Sequence, residues 1–114
     1  MITRLHPGKR FAQAVVVNGV VTTAGITARD TSGDTAAQTR DILAQIDALL
    51  VEAGTSKANL LTVAIWLRDI AHFGQLNEVW DVWVDPDNLP VRATVEARLA
   101  DPSLLVEIQV TASV

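Results

Sequence analysis

The sequence predicts an α+β domain, one sheet with two helices packed on one face. Three observations carry that prediction. Two β-branched runs flank an Asn-Gly pair near the start. Two later stretches space their apolar residues at the helical period. Strand-like segments follow both of these stretches, giving the order β-β-α-β-α-β-β, with strands and helices mixed.

Residues Ala14 to Thr22 read Ala-Val-Val-Val-Asn-Gly-Val-Val-Thr. Asn18-Gly19 suits a type I′ turn, which needs positive φ at both central positions, so this is a hairpin. Thr23 to Ile26 continue its second strand, and Gly25 marks either a bulge or a close approach to the backbone. Thr27 to Gly33 is polar and turn-rich, a loop. A helix begins at Asp34 or Thr35 and carries Ile42, Leu43, Ile46, Leu49, Leu50 and Ala53 on one face, with Gly54 as its terminator. Arg40, Asp41, Gln45 and Asp47 are expected to face water.

Leu60 to Leu67 has no polar alternation, which is the pattern of a strand covered on both faces. Asp69 signals a helix start, with Phe73, Leu76, Trp80 and Trp83 as its apolar stripe. Asp85 to Pro90 is a loop with two prolines. Val91–Leu99 and Leu104–Val114 both alternate, and they are expected to form a second hairpin. Its register would place Leu99 opposite Leu104, Glu107 opposite Glu96 and Arg92 opposite Thr111. The apolar faces of these two strands would meet the helices, and Arg92 and Glu107 would look the other way. Helices on one face leave the other side of the Leu60–Leu67 strand bare, so a symmetric homo-oligomer is expected to cover it.

Composition narrows the function. The 114 residues make a single domain, 1–114, and 49% of them are apolar, enough for a core. With no cysteine, disulfides, thiolate metal sites and a cysteine nucleophile are excluded. Two distant histidines, His6 and His72, argue against a metal site. Nine Lys+Arg against thirteen Asp+Glu argue against a nucleic-acid surface. No run suits a membrane span and the N-terminus has no signal-type apolar core, so a soluble, cytoplasmic domain is expected. There is no Gly-x-Ser-x-Gly, no phosphate loop and no dinucleotide fingerprint.

Two residues stand out chemically. Arg92 follows a proline loop and opens a strand; its planar fork of donors matches a carboxylate at two points. Its plainer role is a surface arginine paired with a neighbour. Glu107 sits mid-strand between Val106 and Ile108, where it could hold or activate a water, or simply pair with Arg98 or Arg92. The expected hairpin separates Arg92 from Glu107 along the strand, so a bulge or a neighbouring subunit is required to join them. Asn77 could bond a ligand through its amide, although an exposed helix asparagine is commoner. The tryptophan stripe reads as core.

Several segments carry a family resemblance. Asn77-Glu78-Val79-Trp80, then Pro90-Val91-Arg92-Ala93-Thr94-Val95, then Val106-Glu107-Ile108 resembles the RidA/YjgF family, its YoaB-like branch in particular. Phe11-Ala12-Gln13-Ala14-Val15, Ala24-Gly25-Ile26 and Glu52-Ala53-Gly54 extend the likeness to nearly the whole chain. The resemblance implies a chorismate-mutase-like fold in a homotrimer, three sheets forming a central barrel with helices outside. It implies clefts between subunits that take small carboxylic acids, and hydrolysis of reactive enamines and imines, such as 2-aminoacrylate and 2-iminopropionate, to 2-oxo acids and ammonia. No metal, cofactor, nucleic acid or membrane partner is implied. Carried onto this chain, Arg92 clamps the substrate carboxylate, Glu107 orients the water, Gly25 and Ile26 offer backbone groups, and Asn77 lines the cleft wall, with Phe11 and Thr94 also at the substrate. Phe11 stands where the best-studied branch has tyrosine, and Thr94 where it has cysteine. Ala93 replaces a YoaB-like cysteine and Ala24 a serine. Alternatives are a non-catalytic carboxylate-binding or regulatory trimer, an endoribonuclease, and a protein-binding trimer.

Overall fold

The computed structural model describes every residue from Met1 to Val114. Seven strands form one mixed sheet: β1 (Thr3–Pro7), β2 (Ala12–Val17), β3 (Val20–Thr23), β4 (Ile26–Thr27), β5 (Leu60–Leu67), β6 (Val91–Glu96) and β7 (Val106–Ser113). Their spatial order is β1-β2-β3-β7-β5-β6, and β4 also pairs with β7. Two helices, α1 (Thr35–Ala53) and α2 (Phe73–Trp83), lie on one face of the sheet and pack against each other. No helix is long and apolar enough to cross a membrane.

The first hairpin turns as expected, with φ 52° at Asn18 and 74° at Gly19. The sequence reading did not include β1, whose five residues are almost all exposed and carry no apolar pattern. Asp34 caps α1 by accepting the Ala37 N–H at 2.9 Å. Gly54 ends it in the left-handed region at φ 89°, where glycine is unstrained. Ile42, Leu43, Ile46, Leu49 and Leu50 are all buried against the sheet. Asp41, Gln45 and Asp47 do not simply face water. Gln45 donates to Thr27 O at 2.9 Å and to Asp41 at 2.7 Å, and Asp47 accepts the Trp83 indole N–H at 3.0 Å. Asp69 caps the short 3₁₀ turn Ile70–His72 that leads into α2, rather than α2 itself.

The C-terminal hairpin is not formed. β5 inserts between β6 and β7, parallel to the first and antiparallel to the second. The most apolar strand is an interior one next to the edge, with its backbone paired on both sides and Val63, Ile65 and Leu67 buried on the helix side, while Leu61 stays 43% exposed. The helix α2 supplies the crossover that a parallel pair requires. β6 ends at Glu96, and residues 97–105 form a connection fastened by Arg68, which donates to Leu104 O and Asp101 O, both at 2.8 Å.

This register corrects the assignment of faces. On β7, Val106, Ile108 and Val110 point at the helices as expected. On β6 the parity is inverted. Arg92 is aligned with Val63, and Val63 with Val110, so Arg92 lies on the helix side. Thr94 and Glu96 share that side. Val91 and Val95 point to the open side and are 68% and 51% exposed. β6 is an edge strand near the limit of the helical layer, so polar side chains fit on its helix side. The open side across β7, β5 and β6 carries Glu107, Gln109 and Thr111, then Thr62, Ala64 and Trp66, then Val91, Ala93 and Val95.

Candidate functional site

One group of the expected residues gathers where β3 gives way to β4. The ladder to β7 breaks there, and side chains replace it. Gln109 Nε2 donates to Thr23 O at 2.9 Å, and Val110 N–H donates to Thr23 Oγ1 at 3.1 Å. Gly25 sits in this break. The Glu107 carboxylate lies directly over it, so a Cβ built on Gly25 would come within 2.1 Å of Glu107 Oε2. The sequence reading allowed a bulge or a close approach at Gly25. Both occur, and the approaching group is Glu107. Its carboxylate has no hydrogen bond or ion pair within the chain and borders a cleft of about 500 Å³ with Arg4, Phe11, Thr22 and Ala24. The Ile26 side chain is buried in the core, so only its backbone can serve the cleft.

Phe11, 61% exposed, also lines a second cleft of about 910 Å³ toward α1. Its rim holds His6 and Glu52, joined at 2.7 Å, and Asp41. Burial pushes the Asp41 carboxyl up, but N–H groups of Asp30, Gln45 and Arg29 outweigh it and hold the group below the usual carboxylate range.

The second group lies between the edge strand β6 and α2. Arg92 is half-buried, with Cζ 5.1 Å from the Trp80 ring centre and 5.6 Å from that of Phe73. No lysine or arginine lies within 4 Å of a carboxylate, and the only basic side chains that do are His6 beside Glu52 and His72 beside Asp69. Arg92 therefore has no carboxylate partner, and neither Arg98 nor Arg92 pairs with Glu107. Phe73, Asn77 and Trp80 are spaced i, i+4, i+7, which places them on one face of α2. Asn77 is half-buried and falls between Phe73 and Trp80 along that face. Thr94, the next residue on this side of β6, has a buried Oγ1 with no hydrogen-bond partner, alone among the chain's buried side-chain polar atoms. Glu96 is committed elsewhere, accepting the Ile70 N–H at 3.0 Å.

Arg92 and Thr94 thus share the helix side of β6, next to the α2 face that carries Asn77, and Phe11, Gly25, Ile26 and Glu107 gather at the break between β3 and β4. The two groups do not meet within the chain. Glu107 is aligned with Trp66 and Arg92 with Val63 across β5. That places them roughly 10 Å apart along the strands, roughly 10 Å across them, and on opposite faces of the sheet. The aromatic support under Arg92 was hidden in the sequence because Phe73 and Trp80 satisfy the pattern of a core stripe equally well.

The family model described as Endoribonuclease L-PSP matches residues 1–114. A RutC family protein of Haemophilus ducreyi is 40% identical over 114 residues, covering 100% of this chain and 97% of that protein. The RutC family protein YoaB of Escherichia coli strain K12 is 36% identical over 113 residues, covering 99% and 98%. A crystal structure of a YjgF family member from Neisseria meningitidis superposes with a TM-score of 0.94 at 44% identity, covering 99% of this chain and 94% of that one.

Proposed function

The chain belongs to the RidA/YjgF family, and from that premise we propose that it hydrolyses reactive enamine and imine acids to 2-oxo acids and ammonia. The observation that carries this reading is Arg92, a half-buried guanidinium with no carboxylate of its own. A cation held at a surface seam with its N–H fork unspent matches the carboxylate of a small imino acid. Glu107 is the complementary group, a carboxylate free of internal partners beside an exposed glycine backbone.

We further propose a homotrimer, in which the Glu107 cleft of one protomer faces the Arg92 edge of the next. The outward valines of β6 support this, since an apolar row on an edge strand is otherwise a liability. In such a cleft an enamine tautomerises to the imine. A water oriented by Glu107 adds to the imine carbon while the nitrogen is protonated. The C–N bond then breaks, ammonia leaves, and the oxygen remains as the 2-oxo group. Ordering of the substrate by the arginine fork places the carbon beside the water.

The test uses an amino-acid oxidase to generate the imino acid and semicarbazide to trap it. The protein is expected to diminish trapping of 2-iminopropionate, and Arg92→Ala to abolish that effect. Equal trapping with wild type and Arg92→Ala refutes the assignment. Phe11, Ala24 and Thr94, where relatives resembled by the chain carry tyrosine, serine and cysteine, favour a second reading, a carboxylate-binding trimer without turnover. Calorimetric binding of a 2-oxo acid by a protein that leaves trapping unchanged distinguishes it. An endoribonuclease reading gains no support from a net charge of −4.

A further inference from the structure

We propose that Phe73 and Trp80 are positioning residues, a two-ring seat that fixes the Arg92 guanidinium and leaves its N–H groups free for a ligand carboxylate. The inference rests on the imine-hydrolase reading for the identity of the ligand as a small carboxylate. A long side chain on an edge strand is ordered only if something holds it, since its rotamer freedom opposes a single position. A carboxylate partner would hold it but would occupy the same donors that the substrate needs. Aromatic faces attract the cation through their quadrupoles and take no N–H from the fork. The guanidinium lies 5.1 Å and 5.6 Å from the two ring centres, within the range of that attraction.

The seat is itself anchored. Trp80 is 7% exposed and stands 5.4 Å from Trp83, tilted by 49°. Trp83 donates its indole N–H to Asp47 of α1 at 3.0 Å. Trp80 therefore belongs to the core and transmits its rigidity to Arg92. Phe73, 36% exposed, is the ring that can be replaced without opening the core.

The experiment compares pyruvate with pyruvamide, its neutral amide, by calorimetry against the intact protein. Phe73→Leu is expected to weaken pyruvate about five-fold and to leave pyruvamide unchanged, whereas Phe73→Tyr keeps wild-type affinity for both. In turnover, Phe73→Leu raises KM for the imino acid and leaves kcat within about two-fold. Trp80→Phe, which retains a ring, is expected to preserve the preference for the acid over the amide. Pyruvate affinity unaltered in Phe73→Leu overturns the proposal, as does an equal loss of both ligands, which marks the ring as merely structural. A wild-type protein that binds neither pyruvate nor any other 2-oxo acid overturns the carboxylate site, and the seat falls with it.

Discussion

At the scale of single residues, the sharpest constraint is the contact between Gly25 and Glu107. Gly25 has no left-handed backbone, so its requirement is one of space alone. Gly25→Ala is expected to displace the carboxylate and lower turnover on the order of 100-fold, close to the effect of Glu107→Gln, while leaving the thermal midpoint nearly unchanged. Steady-state kinetics beside a melting curve check this; full activity in Gly25→Ala would show that Glu107 works from another position. Asp41 offers a residue-scale test of acid stability. Its carboxyl is held below the usual range when folded, so its contribution is present above the unfolded value and is lost as pH falls through the folded one. Asp41→Asn should therefore be slightly less stable at neutral pH, with the difference from wild type closing below about pH 4. Urea midpoints across that range measure it. Arg92 and Glu107 draw notice in the sequence through the chemistry of their side chains and through the family resemblance, and Gly25 as a glycine inside a strand pattern. The link between Gly25 and Glu107 was not legible there, since nothing local reveals which side chain crosses a distant glycine.

At the scale of elements, α1 and the loops around it are joined by one buried amide. Gln38 donates to Ser103 O at 2.9 Å and to Thr31 O at 3.3 Å, and accepts the Leu105 N–H at 2.9 Å. Gln38→Leu leaves these backbone groups without partners, with an expected cost on the order of 3 kcal/mol. A lowered urea midpoint with an unchanged slope is the expected signature. The hairpin at Asn18-Gly19, the two helices and the strand Leu60–Leu67 could all be read from periodicity and turn chemistry. The partner of β6 could not. Two alternating runs separated by a short polar segment look like a hairpin, and only competition for the apolar strand β5 decides otherwise. That one misplacement also inverted the faces of β6, because adjacent residues on a strand point to opposite sides. The role of Gln38 has no local signature for a related reason: a glutamine in a helix reads as solvated until the loops that close over it are known.

At the scale of the whole molecule, the sheet is covered by helices on one face and bare on the other, with valines outward along β6. The two halves of the candidate centre lie two strands apart and on opposite faces of this slab. Their separation makes two separately crippled proteins informative together. If each working centre draws its arginine from one chain and its glutamate from the next, co-refolding Arg92→Ala with Glu107→Gln in equal amounts should regenerate some intact pairings. Random mixing predicts recovery of about a quarter of normal turnover, measured per chain. Mixtures as inert as their parents would mean that every chain works, or fails, by itself.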